Sequence, residues 1–296
     1  MSANLYETKN KGQYYHIHGS LEATTTLKMI GLEPFRPDLI TQEDIISNIE
    51  PAVQRFTVQE LESLNAHHKQ AGIPALKYEE FLETAHVRFH LVFSMSSFSE
   101  LRWAFELTNT QGATNVNEPS WSVTRLEDCS PPVPLPSSRS SSPKILGGIR
   151  VLELCRIIAG PTIARILAEY GADVLKVTGP GLSDVPFFQI DGNMGKHATE
   201  IDLKSAGGRA VFEMLLQDAD IVIDGYRPGA LEKLGYGHDA LAKFAEKRGK
   251  GIVYVNENCF GYVGEWANRP GWQQIADCVR PFKYPVTNLY INTNYR

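Results

Sequence analysis

The stretch that decides the fold is RIIAGPTIARILAEYGADVLKV, Arg156–Val177. After its Gly-Pro pair, apolar side chains recur at the i, i+3, i+4 and i+7 spacing of a one-sided amphipathic helix. Proline is tolerated at the first position of a helix and glycine commonly follows a helix end, so the helix is predicted to run from Pro161 to just before Gly171. The apolar run ADVLKV then indicates a strand. The stretch is therefore predicted to be the turn, helix and second strand of a βαβ unit.

The neighbouring segments continue this alternation. Strands are predicted at GIRVLEL, DIVID and GIVYVNE, and helices at SAGGRAVFEMLLQDA, PGALEKLG and HDALAKFAEKRG. Alternating strands and helices predict an α/β fold with a Rossmann-like parallel sheet and right-handed crossovers. Ligands bind such sheets beyond the carboxyl ends of the strands. Four loops are therefore expected to form one ligand-binding rim: Arg156–Pro161, Thr178–Asp184, Gly225–Pro228 and Asn256–Tyr262.

A segment rich in proline and serine divides the chain. SPPVPLPSSRSSSPK contains five prolines and six serines, and its lack of apolar periodicity indicates a linker. The predicted organisation is a mainly helical region over 1–128, the linker over 129–146, the α/β domain over 147–278 and an atypical tail over 279–296. In the first region, helices are predicted from the capping residues Thr41 and Thr57, the second ending at Gly72, and a third over KYEEFLETAHVRFHLVF. We expect an all-α packing or lid domain there, with no chemistry.

Composition excludes several classes of function. The chain has 296 residues and a formal net charge of -5, whereas nucleic-acid-binding proteins normally carry a basic face. The N-terminus lacks the apolar core of a signal peptide and no run reaches the length of a membrane span, which predicts a cytoplasmic protein and leaves an organellar location open. The four cysteines are scattered without a CxxC pair, and His86 and His90 lack the carboxylate of an HExxH motif. Reduced thiols and no metal site are predicted.

Five stretches together resemble a known family: GIRVLEL, AGPTIARILAEYGADVLKV, GNMGKHATEIDLKSAGGRAVF, DADIVIDGYRPGALEKLGYG and IVYVNENCFGYVGEWANRPGWQQIA. Their order and spacing resemble the class III coenzyme A-transferases, typified by formyl-CoA transferase and carnitine CoA-transferase. The resemblance runs from about Gly147 to about Cys278 and covers only the first part of the family's CoA-binding domain. It implies an incomplete large domain of an enzyme that moves CoA between acyl groups through an aspartyl-acyl anhydride. It also implies CoA or acyl-CoA as the substrate, no separate cofactor, and interlocked homodimers among full-length relatives.

The resemblance also assigns a set of binding residues. Three match the family's loop against the CoA adenine and pantetheine, one matches the lysine of an NKR motif that reads GKH here, three match an N-F-R-P-G turn, and one is a further candidate for a phosphate. In that order they are Ile157, Ile158, Ala159, Lys196, Gly225, Tyr226, Arg227 and Lys233. CoA carries about four negative charges at neutral pH, which cations at the rim must offset. Arg227 and Lys233 are the candidates for its diphosphate or 3′-phosphate, although each alone fits a solvated surface cation equally well.

The chain also departs from the family. The nucleophilic aspartate of the family lies in a downstream Gly-Asp motif followed by Thr-Gly, and Asp277, the only acid after Gln274, stands in a different context. The histidine and aspartate of the racemase branch are replaced by Trp272 and Gln273, neither of which can serve as a base. The tail matches nothing in the family. A read-through intron or a shifted frame that truncates a longer enzyme is our hypothesis for it.

Three interpretations therefore stay open. The chain is a family enzyme that is inactive or impaired because it lacks the nucleophile, or a module that binds CoA or acyl-CoA without turnover, or a non-functional truncated product. An NAD-dependent oxidoreductase is not favoured, because the first turn lacks GxGxxG and Thr178 stands where an acidic residue would bind the ribose.

Overall fold

The structure, a computed structural model, describes residues 3–19, 21–87, 123–124, 134, 144–182, 185–262 and 265–279. The chain divides into two compact units, one formed by Met1–Ser122 with Cys259–Arg296 and the other by Val123–Asn258. Most of the predicted linker and the tail beyond Val279 lie outside the described residues, as do Asp184, His90 and Cys129. Within the described ranges, none of the helices combines the length and apolar character that crossing a membrane requires.

The elements follow one another in chain order. The first unit begins with β1 (Asn4–Glu7), β2 (Tyr14–His18), α1 (Ala23–Met29), α2 (Gln42–Val53), α3 (Val58–His68), β3 (Ala71–Pro74) and α4 (Tyr78–Leu82). The second unit contains β4 (Arg150–Leu154), α5 (Ala159–Glu169), β5 (Asp173–Thr178), α6 (Pro186–Gly192), β6 (His197–Glu200), α7 (Ala206–Asp218), β7 (Ile221–Asp224), α8 (Ala230–Lys233), α9 (His238–Arg248) and β8 (Val253–Asn256). The first unit is completed by α10 (Gln273–Val279).

The first unit is built on a three-stranded antiparallel sheet in the order β1-β2-β3, so the expected all-α packing was wrong. The predicted helices at Thr41 and Thr57 are confirmed, and both threonines form reciprocal capping boxes. The strands escaped prediction because they are short and their polar residues hide the pattern: in β2 the buried side chains are Tyr15, His16 and Ile17, without alternation. Gly72 lies in β3 rather than at the end of α3, which stops at a left-handed Lys69.

The second unit ends at Asn258, whereas the sequence placed the end of the α/β domain at residue 278. The reason is packing. Phe260, Trp266 and Ile275 are buried in one cluster with Ala71 and Ile73 of β3. Apolar burial thus assigns this later segment to the first unit, and the predicted rim loop Asn256–Tyr262 straddles the division.

The second unit contains a five-stranded parallel sheet in the order β6-β5-β4-β7-β8, which confirms the predicted α/β fold. Both faces of the sheet are covered. Leu152 belongs to a core cluster with Phe212 of α7, and Val151 belongs to another with Ala164 of α5. The edge strand β6 escaped prediction because its sequence, HATE, is polar and almost wholly exposed.

Candidate functional site

Strands β5 and β6 extend the sheet on one side of β4, and β7 and β8 extend it on the other side. The strand order therefore switches between β4 and β7, and parallel sheets bind ligands at such a switch point. Two glycines allow a close approach there. A Cβ at Gly160 would lie 2.5 Å from Cys155 Sγ, and one at Gly225 would lie 2.9 Å from the same atom. Burial raises the pKa of the Cys155 thiol, which keeps it protonated as a packing group. The predicted hinge thus serves to bring the first turn of α5 against the turn after β7.

A pocket of about 400 Å³ adjoins this turn. Its lining comes from the loop after β4, the first turns of α5 and the helix α6: Ile157, Ile158, Thr162, Phe187, Phe188, Ile190, Asp191 and Gly192. The lining is mainly apolar, and Ile158 is about half exposed, at 49 %. Of the predicted loop, Ile157 and Ile158 therefore line the pocket, while Ala159 begins α5 as an exposed residue beside them.

The turn after β7 is fixed by Asp224. One oxygen of this buried carboxylate accepts a hydrogen bond from the Tyr226 backbone N–H at 2.9 Å, and the other accepts from the Tyr254 hydroxyl at 2.8 Å. Burial raises the pKa of Asp224. The same turn carries Gly225 and Arg227, whereas Tyr226 packs partly against the apolar core.

Arg156 and Arg227 lie beyond the carboxyl ends of the neighbouring parallel strands β4 and β7. Partial burial, followed by the charge of Arg156, lowers the pKa of Arg227. The positive charge of Arg156, which follows β4, thus disfavours the charged form of Arg227, which follows β7. Sequence reasoning assigned Arg227 but not Arg156. An anion at this place would relieve the repulsion.

Lys196 lies beside Glu153 of β4 and the first turn of α5. Its side chain is fully enclosed, and its ammonium donates to Glu153 Oε2 at 2.6 Å and to the Pro161 carbonyl oxygen at 2.8 Å. The binding role that the family resemblance implies for Lys196 stays a prediction. Lys233 is exposed at the end of α8 and is not among the residues that line the pocket.

Two buried charges next to Lys196 were missed. Glu153 and Lys176 are 0 % and 1 % exposed, and they are paired across β4 and β5. The signal was present in the sequence: RVLEL and DVLKV each place one charge in an otherwise apolar strand. Because charged side chains are rarely buried alone, two such charges on neighbouring strands predict a contact.

A match to the CoA-transferase family III covers residues 146–282. This stretch belongs to that family. The chain is 33% identical to the acetyl-coenzyme A transferase nodX of Hypoxylon pulicicidum, over 99% of this chain and 47% of that protein. It is 29% identical to an acyl-CoA transferase of Gibberella moniliformis, over 95% of this chain and 45% of that protein. It is 31% identical to the succinyl-CoA--L-malate CoA-transferase beta subunit of Chloroflexus aurantiacus, over 47% of this chain and 36% of that protein.

The chain spans less than half the length of these relatives. The two fungal family relatives match nearly all of it, so their likeness extends over the region before the α/β domain. An alignment over 99% of the chain also takes in nearly all of residues 279–296. The family match itself ends at residue 282, so the atypical tail over 279–296 stays a prediction.

Proposed function

We propose that the second unit binds CoA or acyl-CoA, as the CoA-binding part of an acyl-CoA transferase. The observation that supports it most directly is that Arg156 and Arg227 follow the neighbouring strands β4 and β7 at the switch between them. The loop of Arg156 continues into Ile157 and Ile158, which line the apolar pocket. A pair of cations next to an apolar pocket suits a ligand that joins a phosphorylated nucleotide to an apolar arm.

The electrostatics favour a polyanion over a neutral ligand. Two guanidinium groups that repel each other in the free protein gain attraction to a diphosphate and lose part of their repulsion when it binds. The first turn of α5 adds backbone N–H groups at the same edge of the sheet, since its N-cap residue Ile158 supplies no side-chain cap. CoA, with about four negative charges, is a partner that suits both features.

We propose further that transfer of CoA proceeds through an aspartyl-acyl anhydride in the complete protein. The carboxylate would attack the thioester carbonyl, form the anhydride and release the CoA thiolate, and the acceptor acid would later take its place. The present residues hold no aspartate in the expected Gly-Asp context. The chain on its own is therefore proposed to bind the coenzyme with transfer absent or impaired. Interlocked homodimers, which the family resemblance implies, are part of the same proposal for the complete protein.

Calorimetric titration with CoA tests the binding proposal. Arg227→Gln is expected to lower the affinity for CoA by about 10- to 100-fold, as loss of a charge-assisted hydrogen bond does. Arg150→Gln is the matched control. Arg150 is the first residue of β4, at the strand end opposite to the switch, and it pairs with Asp218 on the surface. Equal affinities of the two variants would contradict the proposal.

A second measurement separates binding from turnover. Exchange of a labelled acyl group between two acids, followed with the purified chain, is expected to stay at background while CoA still binds. Exchange at enzymic rates, with the C-terminus verified by mass, would refute the absence of the nucleophile. Failure to bind CoA at all would instead favour a non-functional product.

A further inference from the structure

The loop that lines the pocket is held from behind by a network of buried side chains. The loop runs from the end of β4 to the first turn of α5. Lys196 bridges its two ends, because one ammonium donates both to Glu153 of β4 and to the carbonyl oxygen of Pro161 in α5. The side chains of Lys196 and Glu153 are each 0 % exposed. The Lys196 ammonium therefore links the strand before the pocket loop to the helical turn after it.

The middle of the same loop has its own support. The Gln189 side-chain amide of α6 donates to the Arg156 carbonyl oxygen at 3.5 Å. The Gln189 side-chain oxygen in turn accepts from the buried Lys176 ammonium and from Asn193 Nδ2. Lys176 of β5 is the register partner of Glu153 on the neighbouring strand β4. Contacts at Glu153, Arg156 and Pro161 thus fix the loop at its start, middle and end.

Neither cation is built to meet a ligand directly. Lys176 is 1 % exposed and the Lys196 side chain is fully enclosed, so a phosphate could reach either only if the loop itself were displaced. Burying these charges is costly unless each is paired, and the second carboxylate oxygen of Glu153 lacks a hydrogen-bond partner among the described residues. A buried polar network adds little net stability, but when fully formed it holds the backbone that it contacts in one geometry. Directly behind a ligand loop, such a network can therefore fix the shape of that loop.

We propose that Lys196 is a positioning residue for the coenzyme loop. Its ammonium fixes the backbone of residues 155–161 in the shape that lines the pocket, and it does not itself contact the coenzyme. The part of this inference that concerns ligand affinity rests on the proposed binding of CoA. The part that concerns the loop does not, because the network exists without any ligand.

The test uses two variants and one control. Lys196→Met alone removes the ion-pair partner of Glu153, which keeps only the weaker attraction of the neighbouring Lys176, and is expected to lower the thermal midpoint. The double variant Glu153→Gln with Lys196→Met removes one charge of each sign beside Lys176, which keeps its bond to the Gln189 side-chain oxygen, and is expected to keep a thermal midpoint close to that of the unaltered chain. Lys243→Met, at an exposed position of α9, is the matched control for loss of a lysine.

Amide hydrogen exchange of the ligand-free chain gives the first readout. The double variant is expected to exchange about tenfold faster over residues 157–162, with no change over β7, because the loop has lost its anchors while the sheet keeps its core. Exchange equal to that of Lys243→Met over this loop would overturn the proposal, whatever the chain binds.

Affinity gives the second readout, with CoA and pantetheine as probes. A positioning role predicts that the double variant loses about tenfold in affinity for both, since pantetheine lacks the phosphates and still needs the loop. A loss confined to CoA would show a direct phosphate contact and overturn the proposal, as would unchanged affinity for both. If the unaltered chain binds neither probe, the proposed function fails, and the exchange measurement alone decides the role of Lys196.

Discussion

Gly160 and Gly225 lie against Cys155 so closely that neither position has room for a side chain. The requirement arises from the crossing of two backbone segments, one entering α5 and one leaving β7. Neither glycine has a positive φ. The constraint is therefore one of space, not of backbone conformation, and it is specific to this crossing.

Alanine at Gly160 tests this constraint. The added Cβ would meet Cys155 Sγ at 2.5 Å and Cys155 Cβ at 2.9 Å, so a loss of about 1–3 kcal/mol in the free energy of unfolding is expected. Gly207→Ala is the matched control, since Gly207 is likewise the second residue of its helix and a Cβ there meets nothing within 4 Å. The control should gain up to about 1 kcal/mol in urea unfolding. Equal effects at both glycines would contradict the argument from space.

His16 makes the first unit sensitive to acid. Its ring is buried in β2, and burial first, then the charge of His18, lowers its pKa from 6.5 to about 4. Between these two values the unfolded chain binds a proton that the native chain does not, so stability falls as the pH drops from 6.5 towards 4. The contribution of this one group is about 3 kcal/mol.

His16→Leu should remove that part of the acid loss. Urea unfolding at pH values from 7 to 4 is expected to give a shallower decline for this variant than for the unaltered chain. His67→Leu, at an exposed position of α3, should keep the full decline. Parallel curves for His16→Leu and the unaltered chain would show that the histidine does not carry the effect.

At the scale of elements, α6 reverses the burial pattern that is usual for a surface helix. It directs Gln189 towards the buried Lys176 and leaves Phe187 and Ile190 each 77% exposed. A polar residue under a helix and apolar residues outside reverse the usual pattern. The helix is attached through hydrogen bonds and through the ion pair between Arg165 and Asp191, at 2.6 Å, rather than by apolar packing. Its apolar residues are thereby left to line the pocket.

The helices of the first unit depend on their caps in the ordinary way. In α3 the Thr57 hydroxyl accepts from the Glu60 backbone N–H, and Thr57→Ala is expected to cost about 1 kcal/mol in the free energy of unfolding. Ser63→Ala in the same helix is the control, because Ser63 is exposed and its hydroxyl only bonds back to the Gln59 carbonyl. Circular dichroism during thermal unfolding should show a lower midpoint for the first variant alone. A lower midpoint for both would indicate a general sensitivity of α3.

At the scale of the whole molecule, most of the exposed large apolar side chains among the described residues lie in the second unit. Phe187, Ile190 and Met214 are each more than 70% exposed, and the outer edges of β6 and β8 have no further strand beside them in the described sheet. Exposed apolar surface and open sheet edges both favour association of copies. The chain on its own is therefore expected to self-associate.

Met214→Lys should reduce this association. Met214 is 72% exposed on α7, and a charge there replaces apolar surface without disturbing the core. Gln217→Lys adds the same charge on the same helix at a position that was already polar. Light scattering over a range of protein concentrations should show a lower average mass for Met214→Lys than for Gln217→Lys. A monomer at all concentrations for the unaltered chain would contradict the expectation.

The sequence by itself determined the parallel sheet, the capped helices of the first unit and the family to which residues 146–282 belong. Each of these depends on local patterns, namely apolar periodicity, capping residues and motif spacing, which survive without knowledge of distant contacts. It also indicated the loop of Ile157 and Ile158 as part of a ligand rim.

Only the tertiary structure decided the antiparallel sheet of the first unit, the return of Cys259–Arg296 to that unit, and the enclosure of Lys196. Each of these depends on which distant residue occupies the space beside a given side chain. From sequence alone, a lysine is expected to be an exposed cation. It became a buried partner of Glu153 because the chain between them folds through two helices and one strand before it returns.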